Sequence, residues 1–303
     1  MTTNNESQFY DLRDRPAVSV IGLGLMGRAL AAALHAAGHR TTVWNRTSAR
    51  ADELVASGAV RAESPQVAMA AGPLVVICLT DDAAVREVLG GLAAGALAGK
   101  VVVNLTSSGS TQARELSAWL AERGATIVDG AIMTTPSGIG TPDGLVIYSG
   151  PRDVFDRYEE TLHTLGGAPT FLGEDVGLAS LYDLAQLTMM WSVFNGFLHG
   201  AALLATAGVD AAAFQPAATQ TANITASWLP GMAAQVDAGD YADPDASLAT
   251  HLGAMDHLLA ESQELGISTK LPTLIKSLAE RAAAHGSDGD GYALLIKEFR
   301  RPT

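Results

Sequence analysis

The sequence predicts an α/β N-terminal domain with a doubly wound parallel sheet, followed by an all-α C-terminal domain. Short β-branched runs alternate with alanine-rich stretches from residue 17, as in a sheet covered by helices on both faces. The strand-like runs stop near residue 176, and an apolar stretch over 178–208 indicates a long interdomain helix. We therefore predict domains at 1–176 and 177–303.

Six segments of the first domain have the pattern of buried strands: "AVSVIGLG", "RTTVWNR", "LVVICLT", "KVVVNLT", "ATIVDGAI" and "LVIYSG". In the second domain, breaks in the helical pattern are expected at "AGVD", "PGMAAQVDAGDYADPD" and "GIS", and "HGSDGDG" marks the C-terminal end.

Composition narrows the class of function. The chain has 303 residues, 48% of them hydrophobic and 17% charged, with a net charge of −13. Clustered Lys and Arg are needed to bind nucleic acid, so such a partner is not expected. We also predict no metal site. The single cysteine, Cys78, lies in an apolar run, which favours a buried side chain in a reducing compartment.

The N-terminus and the longest apolar segment both indicate a cytoplasmic protein without a membrane span. "MTTNNESQFYDLRDRP" is polar and lacks the apolar core of a signal peptide, and we expect residues 1–15 to be mobile. Asn195, His199 and Gly200 interrupt the apolar stretch over 178–208.

A glycine-rich loop follows the first predicted strand and opens the first helix. Gly22, Gly24 and Gly27 form G-x-G-x-x-G, and a second strand follows the helix. These glycines allow a tight turn, backbone approach to a pyrophosphate and close packing of helix against strand. The context predicts a dinucleotide-binding Rossmann domain, with Leu23, Leu25 and Met26 also at the cofactor.

The end of the second strand favours NADP(H) over NAD(H). A carboxylate that would bind the ribose 2′-hydroxyl is absent from this position. Arg46 and Arg50 are suited to a 2′-phosphate, and Asn45 and Thr47 can donate hydrogen bonds to it. The alternative is an ordinary polar turn.

Two later strand ends, "CLTDD" and "NLTSSGS", are expected beside the cofactor, because ligands bind outside the carboxyl ends of parallel strands. The candidates there are Leu79, Thr80, Asp81, Thr106 and Ser107. Each polar one could instead cap a helix, and for Asp82 and Ser108 capping is the favoured interpretation.

One carboxylate, Asp183, lies in the long apolar helix, on a face shared with Leu187, Met190 and Phe194. Burial there would raise its pKa and make it a general acid near neutrality. Alternatively, Asp183 occupies the first helical turn and interacts favourably with the helix dipole. For Asn195 and His199 we favour a structural role.

The same helix predicts self-association. At 1.5 Å per residue it would extend about 45 Å, more apolar surface than one small domain covers. We expect an intertwined, domain-swapped homodimer in which this helix is shared and the active site lies between subunits.

Several segments together resemble the imine reductase and reductive aminase family, over about residues 17–300. They are the glycine loop with "VWNRT", "NLTSSGS", "GAIMTTPSGIGTPDGLVIYSG", "GLASLYDLA" and "MDHLLAES". This family resembles the β-hydroxyacid dehydrogenases in fold but replaces their helix lysine with Asp or Tyr. The resemblance implies NADPH-dependent reduction of C=N bonds in cyclic imines or iminiums, with Asp183 as proton donor.

The resemblance also extends to the substrate pocket. Ser107 falls where some members carry an Asn that contacts the substrate nitrogen. Trp191 stands eight residues beyond Asp183, where members proficient at reductive amination often have Tyr. An indole cannot relay a proton, so Trp191 is expected to form a pocket wall or to contact an iminium through its ring; core packing is the alternative.

The second domain is expected to supply other pocket walls, through Trp228, Met232, Met255 and His257, each of which could equally serve packing. Two other functions stay open. One is a β-hydroxyacid dehydrogenase-like oxidoreductase, and the other is an NADP-binding sensor without catalysis.

Overall fold

The computed structural model describes residues 15–242, 246–287 and 289–300. The expected mobile segment over 1–15 lies, up to residue 14, outside the described residues. The chain forms two compact units, one ending at Leu187 and the other beginning at Thr188. The predicted boundary after residue 176 precedes the long helix, whereas the two units divide within that helix. The boundary therefore stays a prediction.

In the first unit, eight strands of the described chain form one sheet, in the order β3-β2-β1-β4-β5-β6-β7-β8. The strands are β1 (Val18–Ile21), β2 (Thr41–Trp44), β3 (Val60–Arg61), β4 (Leu74–Ile77), β5 (Val101–Asn104), β6 (Thr126–Ile132), β7 (Val146–Ser149) and β8 (Thr170–Gly173). The six predicted strands are all present.

The sheet departs from the prediction in two ways. β6 and β7 pair antiparallel, while the other pairs are parallel. An antiparallel pair needs only a short connection, and the segment between these strands has no long helix, only a 3-10 turn at Pro136–Gly138. β3 and β8 were not predicted, because β3 has two exposed residues and β8 lacks a fully buried one.

Helices cover both faces of the sheet. The first unit holds α1 (Leu25–Ala36), α2 (Asp52–Ala56), α3 (Pro65–Ala70), α4 (Asp82–Gly90), α5 (Ser110–Ala121), α6 (Arg152–His163) and the start of α7 (Leu178–Ala205), with a 3-10 turn at Ser48–Ala51. Consecutive residues of β4 alternate between two cores, because strand side chains point to opposite faces. Leu74 and Val76 pack with α1 and α6, and Val75 and Ile77 pack with α3, α4 and α5. The predicted doubly wound fold is confirmed.

In its described residues, the second unit is helical apart from two isolated β-bridges. It contains the rest of α7, then α8 (Ala211–Ala238), α9 (Leu248–Glu264), α10 (Lys270–Ala283), a 3-10 turn (Tyr292–Leu295) and α11 (Ile296–Phe299). The break expected over 230–245 begins later than predicted, because α8 continues through Pro216 and Pro230 to Ala238, and α9 starts at Leu248. A proline removes one backbone hydrogen bond, and the surrounding alanines favour the helix.

α7 is also the one helix in the described ranges that is long and apolar enough to cross a membrane by length and composition alone. Many of its large side chains are exposed beyond residue 188, including Met189, Trp191, Phe194 and Leu198. The interior of the second unit is formed elsewhere, by Tyr241, Leu248, Leu294 and their neighbours on α10.

Candidate functional site

The glycine loop joins β1 to α1, and its backbone leaves no room for side chains at two positions. Gly22 has a φ of +98°, and a Cβ on it would lie 2.1 Å from the Cys78 carbonyl oxygen. A Cβ on Gly27 would lie 2.0 Å from the Gly22 carbonyl oxygen. Gly24 has open space at its Cβ position. Gly22 and Gly27 thus permit close packing of loop, strand and helix, and Gly24 leaves its face free for a ligand.

A cavity of about 890 Å³ lies along this loop, at the carboxyl ends of β1, β2 and β4. Twelve of the residues expected at the cofactor line it: Gly22, Gly24, Leu25, Met26, Gly27, Asn45, Arg46, Thr47, Arg50, Leu79, Thr80 and Asp81. Its position at the N-terminus of α1 suits a pyrophosphate. The residues present therefore fit a dinucleotide.

Three predicted cofactor residues lie outside the lining of this cavity. Leu23 is fully buried, and its backbone N–H donates to Asn45 Oδ1 at 2.9 Å. Thr106 is also buried, and its Oγ1 accepts a hydrogen bond from Leu79 N at 3.0 Å. Ser107 instead faces Asp183, as described below. Leu23 and Thr106 thus hydrogen-bond to two residues that line the cavity, Asn45 and Leu79.

The end of β2 presents two guanidinium groups to the cavity. Arg46 and Arg50 are exposed, and across the described ranges neither side chain forms an ion pair or a hydrogen bond within the protein. Asn45, which also lines the cavity, forms two hydrogen bonds within the protein. Its Oδ1 accepts from Leu23 N, and its Nδ2 donates to the Thr47 carbonyl at 3.0 Å. The Asn45 amide therefore ties the glycine loop to the end of β2.

The helix caps beyond β4 and β5 lie one residue away from those predicted. Asp81, not Asp82, is the N-cap of α4, with its Oδ1 accepting from Ala84 N at 2.8 Å. Gly109, not Ser108, precedes α5, and the Ser108 hydroxyl lies 3.5 Å from that of Ser180. Asp81 therefore lines the cavity while one of its carboxylate oxygens accepts a hydrogen bond from the backbone of α4.

Asp183 is 7% exposed and lies in the second turn of α7. The alternative that a first-turn position explains this carboxylate was wrong, because the helix begins at Leu178. Burial raises the pKa of Asp183 above its ordinary value, and a hydrogen bond from the Ser107 side chain partly offsets that rise. The structure thus brings together two predicted site residues, a carboxyl that holds its proton more tightly and a hydroxyl beside it.

The start of α7 is fixed by several polar contacts. Arg114 binds Asp175 through two bonds of 2.9 and 2.7 Å, and these bonds lower the pKa of Asp175 to about 2. Ser149 Oγ donates to the Val176 carbonyl at 2.8 Å and accepts from Ala179 N at 2.9 Å. These bonds hold the turn that leads to Asp183.

A second buried carboxyl, Asp129 on β6, was missed by the sequence analysis. It is fully buried and accepts hydrogen bonds from Asn104 Nδ2 at 2.8 Å and from Ser180 Oγ at 2.7 Å. Burial raises its pKa to about 6, with a further contribution from the nearby Asp183 carboxylate. The available signal was an acidic residue inside the apolar strand "ATIVDGAI".

Comparison with known proteins identifies the family. Residues 17–173 match the NAD binding domain of 6-phosphogluconate dehydrogenase, and residues 175–301 match the NADPH-dependent reductive aminase-like C-terminal domain. An NADPH-dependent reductive aminase from Aspergillus oryzae is 36% identical over 287 residues, covering 93% of this chain and 97% of that protein. The chain belongs to the reductive aminase and imine reductase family. The predicted resemblance is confirmed.

Solved structures of the family have the same fold. The reductive aminase from Aspergillus terreus, in complex with NADPH and ethyl-5-oxohexanoate, aligns with a TM-score of 0.89 at 38% identity, covering 94% of this chain and 99% of that one. The imine reductase from Streptomyces aurantiacus aligns with a TM-score of 0.89 at 35% identity, covering 94% and 100%. This family consists of NADPH-dependent oxidoreductases, the enzyme class predicted from the sequence.

The other predicted substrate residues lie in the second unit. Trp191 on α7 and Trp228 on α8 are 55% and 62% exposed, and His257 on α9 is also exposed. Met232 and Met255 pack against the hydrophobic core of that unit. His199 Nε2 lies 3.1 Å from the Ser268 carbonyl, in keeping with the structural role expected for it. A role for the tryptophans, His257 and the two methionines in this family's substrate pocket stays a prediction.

Proposed function

We propose that this protein reduces the C=N bond of cyclic imines and iminiums to amines, and that Asp183 supplies the proton. The observation that carries the proposal is the buried Asp183 carboxyl with its raised pKa, hydrogen-bonded to Ser107. A general acid works best when its pKa is near the operating pH. NADPH, when bound, supplies the hydride that adds to the imine carbon.

The protein groups then act on the nitrogen. As the C=N π electrons move onto nitrogen, the Asp183 carboxyl donates its proton there and is left as a carboxylate. If the imine arrives already protonated, the ionised Asp183 stabilises that cation instead. Ser107 donates to the carboxyl and holds its rotamer. A protonated imine is a far better hydride acceptor than a neutral one, so an acid suits this reaction.

NADPH is the expected cofactor because of the charge at the end of β2. Arg46 and Arg50 line the cavity as exposed cations, and Gly22, Gly24 and Gly27 form the pyrophosphate-binding turn. A guanidinium binds a 2′-phosphate through charge-assisted hydrogen bonds. The reductive aminase from Aspergillus terreus has been solved with NADPH, which supports the same choice here.

The positions of the lysines argue against a β-hydroxyacid dehydrogenase. The sequence has four, Lys100, Lys270, Lys276 and Lys297, and none lies on α7. Lys100 Nζ donates to the Gly72 carbonyl, Lys276 pairs with Asp256 and Glu280, and Lys297 lies over the Tyr241 ring. A developing alkoxide would thus lack the helix ammonium that such dehydrogenases use.

We also propose that the active protein is a homodimer in the cytoplasm. Apolar side chains exposed on α7 and α8, such as Trp191, Phe194, Leu198 and Trp228, exceed what an isolated soluble chain leaves to water. A second copy with the same two helices would cover them and contribute walls to the substrate site. Light scattering after size exclusion tests this: a mass of twice the chain is expected, and a stable monomer with full activity would refute it.

Steady-state reduction of 1-pyrroline and of a dihydroisoquinoline tests the role of Asp183. We expect Asp183→Asn and Asp183→Ala to lower kcat by about a hundredfold or more, since an isosteric amide cannot donate the proton in the same way. The matched control is Asp143→Asn, an exposed carboxylate in the same unit, which should keep wild-type rates. NADPH binding followed by nicotinamide fluorescence should be unchanged in every variant.

Three results would contradict the proposal. Wild-type rates in both Asp183 variants would remove Asp183 from the mechanism. Turnover of 3-hydroxyisobutyrate or glycerate, with none of imines, would indicate a hydroxyacid dehydrogenase. Tight NADPH binding without turnover of any imine would indicate a sensor.

A further inference from the structure

Asp129 is a buried carboxyl that the proposed function does not use. It lies in the middle of β6, is fully buried, and is absent from the lining of the cofactor cavity. Both of its oxygens accept hydrogen bonds, Oδ1 from Asn104 and Oδ2 from Ser180. A buried carboxylate is costly unless its charge is compensated, so a role for this charge is to be expected.

One donor lies on the helix that carries the proposed proton donor, and the other ends the strand that leads to its hydrogen-bond partner, Ser107. Ser180 lies three residues before Asp183 on α7, and residues three apart share a helix face. On the other side, Asn104 Oδ1 accepts from Thr106 N at 3.3 Å, and Thr106 directly precedes Ser107. Ser107 in turn donates to Asp183. The contacts form a closed ring that begins and ends at Asp129.

We propose that Asp129 is a positioning residue, whose buried carboxyl sets the placement of Asp183 and Ser107 by holding Ser180 and Asn104 together. The proposal rests on the proposed function, because it assigns Asp129 a task in the proton transfer made by Asp183. Asp129 acts through its neighbours and touches neither the substrate nor the cofactor.

Anchoring of the helix alone does not account for a charged group at this position. Ser149, the residue of β7 that pairs with Asp129 across the sheet, already binds the backbone at Val176 and Ala179. Arg114 and Asp175 fix the preceding turn. Neutral or exposed groups therefore hold the start of α7, and Asp129 adds a negative charge to a site that contains another acid.

The charge links the two acids. Asp183 on α7 and Asp82 on α4 are the ionisable groups that act on Asp129, and both raise its pKa, while Ser180 and Asn104 lower it by hydrogen bonding. Repulsion between the two carboxylates disfavours the state in which both are ionised, so Asp129 and Asp183 titrate as a coupled pair.

Four variants separate this role from a structural one. Asp129→Asn removes the charge and keeps both neighbours within hydrogen-bond reach, because its oxygen can accept from Asn104 and its amide can donate to the Ser180 hydroxyl. Asp129→Ala removes charge and bonds. Ser180→Ala removes one bond and leaves the carboxyl with Asn104, which keeps the test valid if Asp129→Ala does not fold. Ser149→Ala is the matched control, a buried polar residue that holds the same helix without a carboxyl.

The readouts are kcat for 1-pyrroline, KM for NADPH, the pH profile of kcat, and the ionisation of Asp183 followed by carbon-13 NMR of labelled aspartate carboxyls. The Asp183 signal is assigned by its loss in Asp183→Asn. We expect Asp129→Ala and Ser180→Ala to lower kcat about tenfold with KM for NADPH within about twofold, and Ser149→Ala to keep the wild-type pH profile. In Asp129→Asn, most of kcat should remain, and the carboxyl of Asp183 should ionise at lower pH.

Wild-type kcat in folded Asp129→Ala and in Ser180→Ala would overturn the proposal, as would an unchanged Asp183 titration in Asp129→Asn. The NMR titration does not depend on turnover. If Asp183→Asn retains full activity, the proposed function fails by itself, and the coupling between the two carboxyls is still measured separately.

Discussion

Asp129→Asn should change how the stability of the protein depends on pH. A carboxyl whose pKa is higher in the folded than in the unfolded chain binds more protons when folded, so the free energy of unfolding falls as pH rises between the two values. For Asp129 these are about 6 when folded and 3.8 as the ordinary value. A difference of about 2 pKa units corresponds to a contribution of about 3 kcal/mol to the free energy of unfolding. This contribution is present below about pH 4 and lost above about pH 6. Asparagine lacks this dependence.

Urea unfolding of the wild type and the variant, at one protein concentration and at several pH values from 4 to 8, measures the effect. The free energy of unfolding of Asp129→Asn, relative to wild type, should rise by about 3 kcal/mol between pH 4 and pH 7 and then stay level. Asp143→Asn, with its exposed side chain, serves as the control and should show little change. A difference that is flat with pH, or that falls, would refute the reasoning from burial.

Three further predictions concern the cofactor loop and the proposed acid. Arg46→Ala should raise the Kd for NADPH about tenfold and leave that for NADH unchanged, in a fluorescence titration, because the lost charge-assisted bond involves the 2′-phosphate; an equal loss for both coenzymes would contradict this. Gly27→Ala should lower the free energy of unfolding by about 3 kcal/mol and weaken NADPH binding, since its Cβ would lie 2.0 Å from the Gly22 carbonyl oxygen. Wild-type stability by urea unfolding would exclude that clash. In the native protein the hydrogen bond from Ser107 lowers the pKa of Asp183, so Ser107→Ala should raise that pKa and move the alkaline limb of kcat/KM to higher pH. A shift of this limb to lower pH would contradict the prediction.

The fold was largely predictable because its signals are local. Strands buried on both faces appear as apolar β-branched runs, as in "LVVICLT", and the glycine spacing fixes the loop between β1 and α1. The antiparallel pairing of β7 was not predictable, since strand direction depends on the connection rather than on the strand's own residues. The continuity of α8 through Pro230 likewise depends on its surroundings.

The candidate site was predicted only where its residues have a local signal in the sequence. Asp183 stood out because it is the one carboxylate in a long apolar segment. Asp129 has a similar sequence signal, but its partners Asn104 and Ser180 come from distant parts of the chain, and only the folded sheet brings them together. Asn45 was expected at the cofactor because strand ends face ligands, and it lines the cavity; its hydrogen bonds to Leu23 and Thr47 are evident only in the folded chain.

The two hydrogen bonds made by the Asn45 side chain have a consequence for attempts to switch this protein to NADH. The usual design places an acid at the end of the second strand, and residue 45 is the obvious position. Aspartate there could still accept from Leu23 N, but it would have no amide to donate to the Thr47 carbonyl, so the turn that carries Arg46 and Thr47 would lose one of its hydrogen bonds. Redesign of coenzyme preference should instead begin at Arg46 and Arg50, whose side chains the glycine loop does not depend on.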